Sequence, residues 1–141
     1  MSDYEGFCYC GALNYRYCTA VAPASWAVRA CQCSFCRLHG ALTTSDPSGC
    51  LKFEAADLTQ VQRYRFGPRI GDFLICRRCG VYVGAAIRSG GQGFGIINAR
   101  TLRPMPPDLP AALAMNYDGE SPAARVARRE LRWTPLAADS I

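Results

Sequence analysis

Cysteine placement constrains this chain more than any other feature of its sequence. Nine cysteines accompany a single histidine, His39. Seven of the nine fall into three short blocks, which are Cys8-x-Cys10, Cys31-x-Cys33-x-x-Cys36 and Cys76-x-x-Cys79. Thiolates a few residues apart on a tight turn can reach one metal ion, and two such pairs complete a tetrahedral zinc site. The spacing therefore predicts a small domain organised around zinc.

The same cysteines are poorly explained as disulfides. Met1 is followed by Ser-Asp-Tyr-Glu, which is acidic where a secretory or organellar leader is basic. No apolar stretch approaches the roughly 18 residues that a membrane-spanning helix needs. We therefore expect a cytoplasmic protein without a membrane partner, in a reducing compartment where cysteine-dense chains bind metal. The odd number of cysteines favours the same conclusion.

Patterning predicts a mostly β fold of short antiparallel strands with one helix near the C-terminus. Residues 12–19 alternate apolar and polar side chains, with Leu13, Tyr15 and Tyr17 on one face, as in a half-buried strand. Residues 41–45 and 51–54 flank an Asp-Pro-Ser-Gly turn signal and are predicted to form a hairpin. Further strands are predicted at 27–30, 61–66, 72–75, 82–87 and 94–98.

The C-terminal helix is predicted from its end signals. Ser121 is a suitable N-cap, Pro122 a suitable first residue, and Pro135 stops the helix. A Pro-rich connector precedes it. We therefore expect residues 1–103 to form the zinc-binding domain, and residues 104–141 to form a connector and helix packed on the same domain.

Four arginines recur along this helix at i, i+3, i+4 and i+7, and so lie on one face. They are Arg125, Arg128, Arg129 and Arg132, and the residues on another face are Ala124, Ala127 and Leu131. Such a stripe is usually a solvated helix face, and no stacking aromatic residues interrupt it. With a formal net charge of only +5, the sequence disfavours nucleic acid as a partner.

Flanking glycines indicate which cysteine pairs share a metal ion. Gly11 follows Cys10 and Gly80 follows Cys79, whereas Arg37 follows Cys36. Glycine supplies the positive φ that lets backbone N–H groups approach the sulfurs. We therefore assign one closed structural site to Cys8, Cys10, Cys76 and Cys79. The remaining ligands are Cys31, Cys33 and Cys36. Three protein ligands with an open fourth position are typical of a catalytic or substrate-binding zinc.

Two other interpretations of the three-cysteine block remain open. His39 or Cys50 would close a second purely structural tetrahedron, since the C-x-C-x-x-C-x-x-H spacing suits zinc. Alternatively, the block is a redox-switched thiol cluster, which requires accessible thiols of low pKa.

The cysteine blocks and their flanks resemble the glutathione-dependent formaldehyde-activating enzyme family, which includes centromere protein V-like proteins. The matching segments are GFCYCGALNY at 6–15, CQCSFCRLHGA at 31–41 and CRRCG at 76–80. These segments stand in the family's order within residues 1–103, and the tail from Pro104 onward lies outside the match.

The resemblance implies a β-tent fold with two zinc ions, in which the two cysteine groups occupy the family's structural and glutathione-responsive sites. It also implies a carbon–sulfur lyase that forms S-hydroxymethylglutathione, with glutathione as a candidate co-substrate and a small thiol or aldehyde as substrate. Fold similarity alone does not carry an activity. The alternative function is a non-catalytic, zinc-stabilised binding module that presents the arginine helix to an anionic partner.

Two residues beside the three-cysteine block are candidates for substrate chemistry. Arg37 is placed to anchor a substrate carboxylate through its guanidinium, or to offset thiolate charge. His39 is a candidate proton shuttle or fourth zinc ligand, or a packing residue. The candidate catalytic set is therefore Cys31, Cys33, Cys36, Arg37 and His39.

Overall fold

The computed structural model describes residues 1–141 and consists of two β-sheets and two helices. The strands are β1 (Ser2–Phe7), β2 (Leu13–Thr19), β3 (Arg29–Cys31), β4 (Thr43–Thr44), β5 (Cys50–Ala55), β6 (Val61–Tyr64), β7 (Asp72–Cys76), β8 (Tyr82–Ser89), β9 (Gln92–Asn98), β10 (Leu113–Met115) and β11 (Thr134–Pro135). The helices are α1 (Ser34–His39) and α2 (Pro122–Arg132). The predicted mostly β fold with a C-terminal helix is confirmed. Neither helix has the length and apolar character needed to cross a membrane.

The small sheet has the order β1-β2-β5, and the large sheet has the order β10-β3-β4-β9-β8-β7-β6, with β11 paired to β9. Every strand pair is antiparallel except β10 with β3. On β2 the alternation seen in the sequence is real, because Leu13, Tyr15 and Tyr17 are buried in the core. The small sheet therefore uses one face to cover the large sheet.

The large sheet is buried on both faces. On β7, Leu74 packs into the core shared with the small sheet, whereas its neighbour Phe73 packs into a second apolar cluster. On β9, Ile97 packs into the shared core and Ile96 packs into the second apolar cluster. The long apolar run of β8 follows from this arrangement, since a strand covered on both faces need not alternate. The second cluster lies beside α2 and forms part of the candidate site.

The predicted hairpin of residues 41–45 and 51–54 is wrong. The turn between them forms, with the Gly49 N–H donating to the Asp46 carbonyl at 2.9 Å. However, β4 pairs with β3 and β9 in the large sheet, while β5 pairs with β2 in the small sheet. Asp46 makes a hydrogen bond to each sheet. Its carboxylate accepts from Thr19 Oγ1 of the small sheet at 2.6 Å, and its backbone N–H donates to Thr134 Oγ1 of the large sheet at 2.8 Å. The turn therefore carries the chain between sheets.

The C-terminal tail is built into the same core. Ser121 Oγ accepts from the Ala124 N–H at 3.1 Å, so the predicted N-cap of α2 is confirmed. After the helix, Trp133, Thr134 and Leu136 are buried, and β11 adds to the large sheet.

Gly84 lies where the large sheet packs closely on the small sheet, and we predict that Gly84→Ala destabilises the protein. A Cβ at this position would collide with the Ile96 carbonyl oxygen and lie 2.8 Å from Phe53 Cζ. Overpacking of this kind costs about 1–3 kcal/mol. Urea unfolding of the zinc-loaded protein measures the loss. Ala127→Ser on the exposed side of α2 is the control, and equal stability of the two variants would contradict the prediction.

Candidate functional site

The first candidate metal site joins two turns from different sheets. Cys8 and Cys10 lie between β1 and β2, Cys76 ends β7, and Cys79 precedes β8. Their four sulfur atoms all lie within 4.8 Å of one another. The glycines behave as the sequence predicts, because φ is 82° at the residue after Cys10 and 81° at the residue after Cys79. The chain therefore folds so that these four thiols converge.

The sulfur spacing fits a zinc ion. The Sγ atoms of Cys8 and Cys10 are 3.7 Å apart, and those of Cys10 and Cys76 are 3.6 Å apart. A tetrahedron with zinc–sulfur bonds of about 2.3 Å has edges of about 3.8 Å. The Leu13 N–H also donates to Cys8 Sγ at 3.3 Å, as expected for a metal thiolate with an orienting partner.

Two of the four thiols, those of Cys8 and Cys79, differ widely in pKa. Burial raises the pKa of Cys8 to about 12. Burial also acts to raise the pKa of Cys79, but backbone hydrogen bonds from Cys10 and Val81, with the thiols of Cys76 and Cys8, lower it to about 6. A cation is therefore needed before all four groups become thiolates, which couples metal binding to proton release.

The second candidate metal site is formed where β3 runs into α1. Cys31 ends β3, Cys33 is the N-cap of α1, and Cys36 lies in its first turn. The Cys33 sulfur accepts from the Cys36 N–H at 3.4 Å, and all three sulfurs lie within 4.8 Å of one another. Cys36 is buried, and the other two are half-buried. Neither His39 nor Cys50 joins this group, so three thiols stand without a fourth protein ligand.

Contact between the Cys31 and Cys36 thiols shifts their pKa values in opposite directions. The contact with the Cys36 thiol lowers the pKa of Cys31 to about 5. The same contact raises the pKa of Cys36. As in the first cluster, a bound cation is required for all three sulfurs to be thiolates together.

The three-cysteine cluster opens into a cavity of about 100 Å³, whereas the four-cysteine cluster does not line it. The other walls come from the second apolar cluster and include Phe66, Phe73, Tyr82 and Trp133. Tyr82 is buried, its hydroxyl makes no hydrogen bond to the protein, and burial raises its pKa well above the usual range. The two candidate metal sites therefore differ. The first has four protein ligands, whereas the second has three and faces a cavity.

Helix α2 turns three of its four arginines toward the protein, so the expectation of a solvated arginine face holds only for Arg132. Arg125, Arg128 and Arg129 line the cavity beside the thiols, whereas Arg132 is exposed and does not line it. The opposite face points to solvent, where Leu131 is 66% exposed. The helix is therefore oriented opposite to an ordinary amphipathic surface helix, with its polar face toward the cavity and its apolar face toward solvent.

Glu120 neutralises part of this charge. It forms a two-point ion pair with Arg128, with N–O distances of 2.9 and 3.1 Å, and a further contact with Arg125 at 3.1 Å. Arg128 also stacks on Tyr117, with its Cζ 3.6 Å from the ring centroid. Together Arg128 and Arg125 hold the pKa of Glu120 below its usual value.

Two other guanidinium groups in the cavity wall have no carboxylate partner. Arg129 is 7% exposed, donates from Nη1 to the Ile70 carbonyl at 2.6 Å and lies over the Trp133 ring at 4.6 Å. Arg29 on β3 donates to the Ser45 hydroxyl. The Nε atoms of both arginines are buried and make no hydrogen bond. Burial lowers the pKa of Arg129 to about 10, so it stays charged at neutral pH.

The structure does not bring Arg37 and His39 to the cavity wall. Both are exposed on α1, and neither lines the cavity. The His39 ring lies 4.5 Å from the Phe35 ring and 5.5 Å from the Tyr82 ring, which matches the packing interpretation.

Sequence analysis missed Arg29, Arg129 and Tyr82 as site residues. The sequence does contain a signal for Arg29. Residues i and i+2 of a strand lie on the same face, and Cys31 is two residues after Arg29, so Arg29 could have been predicted to lie beside the thiols.

We predict that the two clusters bind one zinc ion each, with different consequences for folding. Elemental analysis should give two zinc ions for the wild type and one for Cys33→Ser, with the fold retained. Cys10→Ser removes a ligand that links the two sheets, so we expect loss of cooperative unfolding as well as of one metal ion. Wild-type protein that is folded with no zinc would contradict both expectations.

Comparisons with known proteins identify a fold relative. No protein-family model matches the chain, and no curated protein matches it. The chain is similar to a Rhodobacter sphaeroides protein whose crystal structure was determined as a Northeast Structural Genomics target, with 28% identity and a TM-score of 0.58. The match covers 79% of this chain and 99% of that chain. The two proteins therefore share a fold over most of the length described above.

Proposed function

We propose that this protein is a zinc-dependent enzyme of the carbon–sulfur lyase type, acting on the adduct of a glutathione-like thiol with a small aldehyde. One observation carries the proposal: the three-thiol cluster faces a cavity with no fourth protein ligand. The resemblance of the cysteine blocks to the formaldehyde-activating family supports the same reaction class.

The donor set of Cys31, Cys33 and Cys36 suits a zinc ion with one exchangeable position. A zinc ion held by these three cysteines would lower the pKa of a bound substrate thiol, so that the thiol would react as a thiolate near neutral pH. The protein contributes orientation and exclusion of water, since aromatic side chains wall the cavity. Arg37 and His39 have no part in this scheme, because neither lines the cavity.

The chemistry is addition of a thiol to a carbonyl group and its reversal. In the forward direction the thiolate sulfur attacks the aldehyde carbon, the π electrons move to oxygen, and that oxygen takes up the proton which the thiol released. In the lyase direction the carbon–sulfur bond breaks, the carbonyl re-forms, and the proton returns to sulfur. No oxidant or reductant is needed.

Tyr82 is the best-placed group of this chain to handle that proton. It lines the cavity with the thiols, and its hydroxyl makes no hydrogen bond to the protein. A protonated phenol at this place is suited to donate to the developing oxyanion.

The non-catalytic alternative has less support than the enzyme. A binding module would need the arginines of α2 to form an exposed surface for an anionic partner, but Arg125, Arg128 and Arg129 line the cavity and only Arg132 is exposed.

The proposal is tested by the rate at which a thiol–aldehyde adduct exchanges with its components. Exchange spectroscopy by NMR with labelled formaldehyde measures that rate with and without zinc-loaded protein. We expect acceleration by the wild type and the uncatalysed rate with Cys33→Ser. Absence of acceleration with glutathione and with smaller thiols, in protein shown to hold two zinc ions, would refute the enzyme.

Tyr82→Phe should lower kcat by about 100-fold while leaving thiol affinity unchanged, because general acid catalysis typically contributes at least that factor. Tyr64→Phe is the matched control, since Tyr64 is partly exposed on β6 and does not line the cavity. Equal kcat values for the two variants would remove Tyr82 from the mechanism.

A further inference from the structure

We infer that the cavity selects compact thiols that carry a carboxylate, with the sulfur at the three-cysteine cluster and the carboxylate at Arg29 and Arg129. The inference rests on the proposed function and deepens it, because it names the substrate class of the same site.

Arg29 and Arg129 are the unpaired cations of the site. Burial of a charge is costly unless the charge is paired and hydrogen-bonded. Arg125 and Arg128 meet this condition through Glu120. Arg129 is buried with a carbonyl and an aromatic ring as its partners, and its Nε is unsatisfied, as is that of Arg29. A ligand carboxylate in the cavity would supply the missing counter-charge, because a guanidinium group donates two parallel hydrogen bonds to a carboxylate.

The distance between these cations and the thiols limits the length of the ligand. Arg29 and Cys31 are residues i and i+2 of β3, so their side chains project from the same face about 6.6 Å apart along the strand. Both line the cavity. A compact ligand in the cavity can therefore contact both residues at once.

The volume of the cavity also favours a compact ligand. At about 100 Å³ it is well below the roughly 300–1,000 Å³ of pockets that enclose drug-sized ligands. It is closer to the 150 Å³ or so of an engineered cavity that binds benzene. A short thiol acid fits this space, whereas a tripeptide thiol would leave most of its atoms outside.

The charge of the cavity points to an anionic ligand even when the metal is counted. Zinc with three thiolates has a formal charge of −1, and Glu120 and the exposed Asp118 contribute two further negative charges. Four arginines exceed these three charges by one, which the thiolate of the ligand would balance, so the case for a carboxylate rests on Arg29 and Arg129 having no carboxylate partner in the protein. The competing explanation is that Arg29 and Arg129 only offset the thiolates, in which case a ligand carboxylate would gain nothing.

A matched pair of thiols separates these explanations. Cobalt-loaded wild-type protein is titrated with 3-mercaptopropionate and with 3-mercaptopropan-1-ol, which differ only in the charged group. Thiolate-to-cobalt absorption reports the fourth ligand without any turnover. We expect the acid to bind at least tenfold more tightly than the alcohol, as for a hydrogen bond to a charged group. Glutathione should bind more weakly than the compact acid. Equal affinity of the acid and the alcohol would overturn the inference.

Variants assign the preference to particular residues. Arg129→Gln and Arg29→Gln should each reduce the acid-to-alcohol preference toward one, while Arg132→Gln should retain it. Arg132 is the matched control, because it lies on the same helix but is exposed outside the cavity. Circular dichroism and cobalt content verify that each variant is folded. If Arg129→Gln does not fold, Arg29→Gln and the thiol pair on the wild type still decide the question.

Failure of the proposed function is distinguishable from failure of this inference. If both thiols bind cobalt equally, the exchangeable metal position stands and the carboxylate site is refuted. If neither thiol changes the cobalt spectrum, calorimetry with propionate tests the anion site alone. Propionate binding to the wild type but not to Arg29→Gln would retain the anion site without the lyase, and no binding would refute both.

Discussion

The four-thiol cluster is the constraint on which the remaining structure depends. It joins the turn between β1 and β2 of the small sheet to the turn between β7 and β8 of the large sheet. Structural zinc contributes about 10–16 kcal/mol to folding, comparable to or larger than the roughly 5–15 kcal/mol net stability of a whole domain. A zinc ion bound to these four thiols would therefore fix the position of one sheet on the other and stabilise the core between them.

The position of the candidate site follows from this arrangement. Because the small sheet covers one face of the large sheet, only the other face is left for a cavity. That face carries Phe73 and Tyr82, and α2 lies beside it, with Arg129 lining the same cavity as the thiols. The tail is thus required for the site, even though its proline-rich beginning suggests a simple connector. Removal of α2 would expose an aromatic surface and three thiols together.

The extent to which the sequence predicts the structure depends on whether the signal is local. Cysteine blocks and positive-φ glycines such as Gly80 act within a few residues, so the metal clusters could be inferred. Alternation on β2 is local as well. The partner of β5 was mispredicted, because a turn at Gly49 shows that the chain reverses but not which sheet it joins next. Helix α1 was missed, since six residues capped by a cysteine give too short a periodic signal.

The orientation of α2, with its arginine face toward the protein, could not be predicted from helical periodicity. A helical pattern divides residues into faces, but the assignment of the polar face to solvent is an assumption about what lies beneath. Here the underlying surface contains thiols that become anionic when they bind metal, so the arginine face is the complementary one. Burying Arg129 without a carboxylate partner lowers the stability of the protein. An alanine or a leucine at the same position would not carry this cost. Sequences depart from the usual placement of polar residues mainly at functional sites. The buried guanidinium of Arg129 is therefore better explained by a ligand than by the stability of the fold.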